Sequence, residues 1–174
     1  MQFRGSFPAL ITPMKNGEVD EAAFRKFVNW QIEQGSHGVV PVGTTGESPT
    51  LSFDEHYRII DACIEAAAGR VPVLTGVAEM NTQAASAFMV DCQAMGVAGF
   101  MVMPPMVYKA DNRELMHWFR TLAQVTPLPW MLYNNPVGYT ADVTPEMFVE
   151  LADVATLTSI KESSTNPRRI TEIR

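Results

Sequence analysis

The chain has 174 residues, 47% of them hydrophobic and 18% charged, which is enough to bury a sizeable core and reads as one globular domain. Its net charge of −6, with no cationic cluster larger than Arg168–Arg169, argues against nucleic acid or an anionic membrane surface as a partner. No apolar run approaches the ~20 residues that span a bilayer. The short apolar start is interrupted by Pro8 and closed by Pro13, without a secretory h-region, so a cytoplasmic protein is expected.

Six short apolar runs rich in β-branched residues follow one another along the chain, at 6–12, 37–42 (HGVVPV), 71–78 (VPVLTGVA), 98–103 (AGFMVM), 128–133 (LPWMLY) and 155–161 (ATLTSIK). They are continuous rather than alternating, as strands of a parallel sheet covered by helices should be. Stretches of helical period separate them and carry their own punctuation. Ser52 with Glu55 and Asp111 with Glu114 are capping boxes. Thr144–Pro145 pairs an N-cap with proline at the first helical position, and Gly35, Gly69 and Gly96 stand where helices should stop. Strand–helix units recurring at intervals of roughly 30 residues imply parallel strands joined by right-handed crossovers.

Such units build either a doubly wound open sheet or a closed barrel. The former expects a glycine-rich phosphate loop after the first strand. The chain has TPMKNGEVD there, with neither GxGxxG nor GxxxxGK[ST]. The residues of chemical interest instead gather at the C-terminal ends of different strands, where barrel enzymes hold their sites. The expected fold is therefore α/β, a (β/α)8 TIM barrel of which about six strand–helix units are present. Residues 1–174 would be the N-terminal portion of that single domain.

Three segments carry the candidate site. Lys161 ends the sixth strand and by period two shares its side with Leu157 and Ser159, opposite Glu162. Facing a barrel interior, its ammonium would lose solvation and yield the amine that attacks a carbonyl; reaching outward, it would be a solvated strand-end lysine. Tyr133, ending the fifth strand, could carry protons to and from a carbinolamine, or could be a core tyrosine with its hydroxyl on backbone. After the second strand, Gly43-Thr44-Thr45-Gly46-Glu47 offers backbone N–H groups and two hydroxyls that can hold a carboxylate without a cation, or can serve only as a turn and cap. Glu47 reads as structural, since it would repel a carboxylate. Cys63 and Cys92 fall on apolar helix faces and read as buried free thiols. His37, His56 and His117 lack the spacing of metal ligands, and no metal is expected. The stretch Met101 to Met106 reads as core leading into a stiff loop, or as an adaptable contact to a partner subunit together with Tyr108.

The chain resembles the dihydrodipicolinate synthase/N-acetylneuraminate lyase family of class I aldolase-type barrels. The likeness runs through GSFPALITPM, DEAAFRKFVNWQIEQG, GTTGES, YNNP and IKESS, in family order and spacing. It implies a lyase in which Lys161 forms an imine with pyruvate or a similar 2-oxo acid and Tyr133 relays protons. Thr44 and Thr45 would bind the carboxylate, with Thr44 joining the relay. It also implies a homotetramer that needs no metal or organic cofactor.

Two departures bear on substrate. The synthases resemble YNVPxRT where this chain has Tyr133-Asn134-Asn135-Pro136-Val137-Gly138-Tyr139, so Gly138 stands where their arginine holds a second carboxylate. They also carry a tyrosine pair after the fourth strand, one completing a partner subunit's relay, where this chain has Pro105-Met106-Val107-Tyr108. These differences resemble the branch that removes ammonia or water from small pyrroline or hydroxy acids, such as 1-pyrroline-4-hydroxy-2-carboxylate deaminase. The alternatives are dihydrodipicolinate synthase proper, a 2-oxo acid aldolase using the same lysine and tyrosine, or a non-catalytic barrel homologue. Six strands fall short of the family's eight, so a segment of a longer enzyme is expected.

Overall fold

A computed structural model describes residues 3–106 and 108–174. The readings that touch residues 1 and 2 at the start, and Val107 in the loop after the fourth strand, lie outside the described residues.

The expected order of parallel segments is present. A four-stranded parallel sheet runs β3 (Leu74–Val77), β4 (Gly99–Val102), β5 (Trp130–Asn134), β6 (Leu157–Glu162), each strand beside its neighbour in sequence. The segments at 6–12 and 37–42 extend this order but are not regular strands. Single parallel bridges join Ala9 to Val40 and Val39 to Val73. Pro8 and Pro41 lack the N–H a ladder needs, so the pairing narrows to bonds such as Leu10 N–H to Val40 O at 2.9 Å. Six segments in strictly sequential order leave no topological switch point, which a doubly wound sheet requires.

Helices α1 (Glu21–Glu33), α2 (Phe53–Ala67), α3 (Thr82–Met95), α4 (Asn112–Leu122) and α6 (Pro145–Glu150) fill the connections. Both expected capping boxes form. Thr144 takes the N-cap position of α6, but its side chain makes no capping bond. Gly96 is the left-handed C-cap of α3, whereas Gly35 and Gly69 lie one residue beyond caps formed by Gln34 and Ala68. At TPMKNGEVD the chain makes a hairpin, β1 (Met14–Lys15) against β2 (Glu18–Val19), turned by Asn16 and Gly17 with φ of 56° and 84°. Two positive φ values in a two-residue turn match strand twist, and Asn-Gly is the sequence that adopts them at least cost.

The sheet is covered on both faces, most fully at β3 and β4. Phe100, Val102, Trp130 and Leu132 face the helices and pack with Phe24, Ile59, Phe88, Leu115 and Phe119. Val40, Leu74, Met101, Met103 and Met131 face the opposite, inner side, where Phe3 and Phe7 join them. Cys63 and Cys92 are wholly buried as expected. Burial pushes the Cys63 thiol up to about 12 and raises that of Cys92 as well, so both stay protonated and inert.

Candidate functional site

The inner face of β5 and β6 carries the lysine and the tyrosine side by side. Tyr133 pairs with Lys161 in register, and Lys161 Nζ lies 3.9 Å from the centre of the Tyr133 ring and 3.9 Å from Met101 Sδ. Lys161 is half-buried on the inner side with Ser159, but Leu157 is not with them. A register shift between Trp130 and Met131 turns Leu157 to the helix-facing core, which strict alternation could not foresee. Glu162 points the other way, accepting from Asn134 Nδ2 at 3.0 Å and from the Ser164 N–H at 2.6 Å.

Thr44 approaches this pair through a residue that sequence reasoning missed. Its hydroxyl lies 2.7 Å from the hydroxyl of Tyr139, and the Tyr139 ring meets the Tyr133 ring edge-on at 5.3 Å and 85°. Both Thr44 and Tyr139 also contact Met103 Sδ at 3.5 Å. Tyr139 ends α5 (Pro136–Tyr139), a single turn opened by Asn135 as N-cap and Pro136 at the first helical position. Asn-Pro is a helix-start signal, and reading it would have carried Tyr139 one turn onward, back over the sheet.

Asn135 serves both parts. Its Oδ1 accepts from the Gly138 N–H at 3.1 Å, and its Nδ2 donates to the Tyr133 hydroxyl at 3.2 Å. A Cβ on Gly138 would fall 2.8 Å from that Nδ2, so any larger side chain there requires Asn135 to swing away. Behind the site, fully buried Asn134 donates to Asp142 Oδ1 at 3.0 Å, and Arg169 clasps both Asp142 oxygens at 3.0 and 3.1 Å.

The GTTGE segment is a tight 3-10 turn over Thr44–Gly46, exposed at Thr44 and Thr45. The N–H groups of Gly46 and Glu47 are spent on the turn itself, on Gly43 O and Thr44 O. The first N–H groups of such a turn, here those of Thr44 and Thr45, have no partner within it. Val42 enters the turn with φ of 57°, a strained value for a β-branched residue of the kind found beside binding sites. Gly76 makes room for this approach, since a Cβ there would collide with the Val42 carbonyl.

The electrostatics separate the two phenols. Burial alone would raise Tyr133, but hydrogen bonding from Ser163, the charge of Lys161 and hydrogen bonds from Asn135 and Tyr139 outweigh it, and its pKa lies below the ordinary value. Burial pushes Tyr139 up to about 12, with Thr44 opposing and Tyr133 adding to the rise. One phenol is therefore the readier proton donor and the other is held protonated. A separate cavity of about 460 Å³, lined by Met80, Asn81, Pro105, Tyr108, Arg113 and Trp118, includes none of Lys161, Tyr133 or Thr44. His56 is buried against Ser48, its Nε2 lying 3.0 Å from the Ser48 carbonyl.

A sequence profile of the dihydrodipicolinate synthetase family matches residues 2–174. The chain belongs to that family. A 4-hydroxy-tetrahydrodipicolinate synthase of Sphingopyxis alaskensis is 43% identical over 97% of this chain and 58% of its own length. One from Brucella abortus is 43% identical over 98% and 59%. Among solved structures, dihydrodipicolinate synthase from Aquifex aeolicus superposes with a TM-score of 0.93 at 35% identity, covering 98% of this chain and 59% of that one. The chloride-inhibited enzyme from Acinetobacter baumannii complexed with pyruvate gives 0.91 at 32% identity, over 95% and 57%. The fold is thus the TIM barrel of the family, and the chain spans 58% of the length of the first of these curated relatives. Among the described residues, no helix is long and apolar enough to cross a membrane.

Proposed function

We propose that the chain is part of a Schiff-base lyase in which Lys161 condenses with the carbonyl of pyruvate or a similar 2-oxo acid. The observation that carries this reading is the lysine amine 3.9 Å over the face of Tyr133, on the inner side of the sheet. Tyr133 is the acid and base at the carbinolamine oxygen, and a pKa held below the ordinary phenol value makes it the readier donor there. Thr44 and Thr45 hold the substrate carboxylate, leaving the carbonyl to face the lysine. The names of the relatives support synthase chemistry, in which the imine of pyruvate is condensed with aspartate semialdehyde, more than they support deamination. A homotetramer in the cytoplasm belongs to the same proposal.

The second reading, ammonia or water release from a small pyrroline or hydroxy acid, is favoured by Gly138. No side chain at that position can clamp a second carboxylate, and Asn135 occupies the space beside it. Assays of the full-length enzyme on pyruvate plus aspartate semialdehyde, and on five-carbon pyrroline and hydroxy-oxo acids, separate the two.

Pyruvate followed by borohydride should add one pyruvyl mass per subunit, located on Lys161, and Lys161→Ala should carry none. Equal labelling of that variant, or no labelling of the unaltered enzyme, would sink the Schiff-base reading.

A further inference from the structure

Tyr139 has no part in the chemistry just described, yet it occupies the space between the two residues assigned proton transfer and carboxylate binding. Its ring is 7% exposed and packs in the inner cluster beside Met101 and Met103, a place a phenylalanine would fill equally well. The hydroxyl is what distinguishes it, and that hydroxyl is aimed at Thr44 Oγ1 at 2.7 Å, where either atom can donate. Thr44 is exposed at the mouth of the site, whereas Tyr133 is half-buried beside Lys161. The three hydroxyl-bearing residues therefore run from the lysine to solvent, with the buried Tyr139 between. All come from one chain. Tyr108, in the loop after β4, instead donates to Glu114 of α4 at 3.1 Å.

We propose that Tyr139 is a positioning residue of the proton relay, linking Tyr133 to Thr44 and so to solvent within a single subunit. The proposal rests on the Schiff-base reading. When the Lys161 amine adds to the 2-oxo carbon, the N–C bond forms and the carbonyl π pair moves to oxygen. Tyr133 gives that oxygen its proton, and the proton shed by the new ammonium nitrogen returns to the Tyr133 oxygen. A second transfer by the same route carries the carbinolamine hydroxyl off as water, leaving the imine. The two hydrogens of that water come from the amine and its oxygen from the ketone. Tyr139, held protonated by burial, donates toward the Tyr133 oxygen while that oxygen is a phenolate. Thr44 supplies the exchange with solvent.

The test is Tyr139→Phe in the natural full-length enzyme, with pyruvate as the probe and borohydride added at set times after mixing. Imine formation should slow by ~10²-fold, the lower end of what positioned acid–base groups contribute, because Tyr133 itself remains. The final stoichiometry on Lys161 should be unchanged, and KM for pyruvate should move less than kcat. The alkaline limb of the pH–rate profile should shift. Thr44→Val should slow the same step, Thr44→Ser should retain more of the rate, and the double variant Tyr139→Phe/Thr44→Val should be no slower than the worse single one, because the two act as one unit. Wild-type rates and an unchanged pH profile in Tyr139→Phe would overturn the relay while leaving the lysine assignment intact. An unlabelled Lys161 in the unaltered enzyme would overturn the reading beneath it.

Discussion

Asn135 uses one amide for two purposes, capping the turn that carries Tyr139 and donating to the Tyr133 hydroxyl. A donor on a phenol oxygen favours the phenolate, so it contributes to the lowered pKa of Tyr133. Asn135→Ala should let that pKa rise, and the acid form of Tyr133 should then persist to higher pH. The alkaline limb of kcat/KM should move upward, and loss of the cap should cost about 1 kcal/mol of stability. A pH–rate profile beside a denaturant titration checks both effects, and an unmoved limb would show that Asn135 only caps. At this scale Lys161, Tyr133 and Thr44 were legible in the sequence because each ends a strand or opens the loop after it. Tyr139 was only half legible: Asn135-Pro136 marks the turn that carries it, but nothing local pairs its hydroxyl with one 95 positions away.

The elements behind the site are fastened by one ion pair. Asp142 precedes α6, Arg169 opens α7 (Arg169–Ile173), and Asn134 at the end of β5 bonds to the same carboxylate. Burial works to raise the Asp142 pKa, but the hydrogen bonds from Arg169 and Asn134 and the Arg169 charge lower it overall. A carboxyl whose folded-state pKa lies below its unfolded value contributes stability above that unfolded value, about 4, and loses it as pH falls through the folded one. Asp142 is more than a third exposed, so solvent screens the pair, and Asp142→Asn should lower the stability of the full-length enzyme at neutral pH by no more than about 1 kcal/mol. It should also flatten the decline of stability below about pH 4. Equilibrium unfolding at pH 7 and pH 3 measures both; equal losses at the two values would mean that the carboxylate's charge is irrelevant. The capped helices were readable because a cap is a signal within four residues. The β1–β2 hairpin was equally readable, since Asn16-Gly17 is a strong short-range hairpin signal.

Across the whole molecule, burial is uneven. β3 and β4 are fully buried, whereas β6 is only partly so, and among the described residues it pairs with β5 alone. Beside its open edge lies an apolar groove of about 350 Å³ lined by Phe148, Leu157, Ile160, Ile170 and Ile173. An unpaired parallel edge beside an apolar groove is a template for other chains, and local hairpins cannot replace non-local partners. Residues 1–174 made alone should be aggregated or molten and without lyase activity. A longer product with two more strand–helix units should unfold cooperatively and assemble into oligomers. Size-exclusion chromatography and calorimetry decide this, and a discrete, active 174-residue species would overturn it.

The sequence by itself determined the parallel strand–helix repeat, the helix starts, the buried thiols, the placing of Lys161 and Tyr133 near strand ends and that of Thr44 in the turn after the second segment. Each of these follows from periodicity or from residues within a few positions of one another. Only the tertiary structure decided that proline narrows the first two segments to single bridges, and that a register shift turns Leu157 away from Lys161. It alone brought the Tyr139 hydroxyl to Thr44 and closed the Asn134–Asp142–Arg169 network. Those contacts join residues far apart in the chain, and their existence depends on how sheet register and loop packing resolve together, which no local pattern encodes.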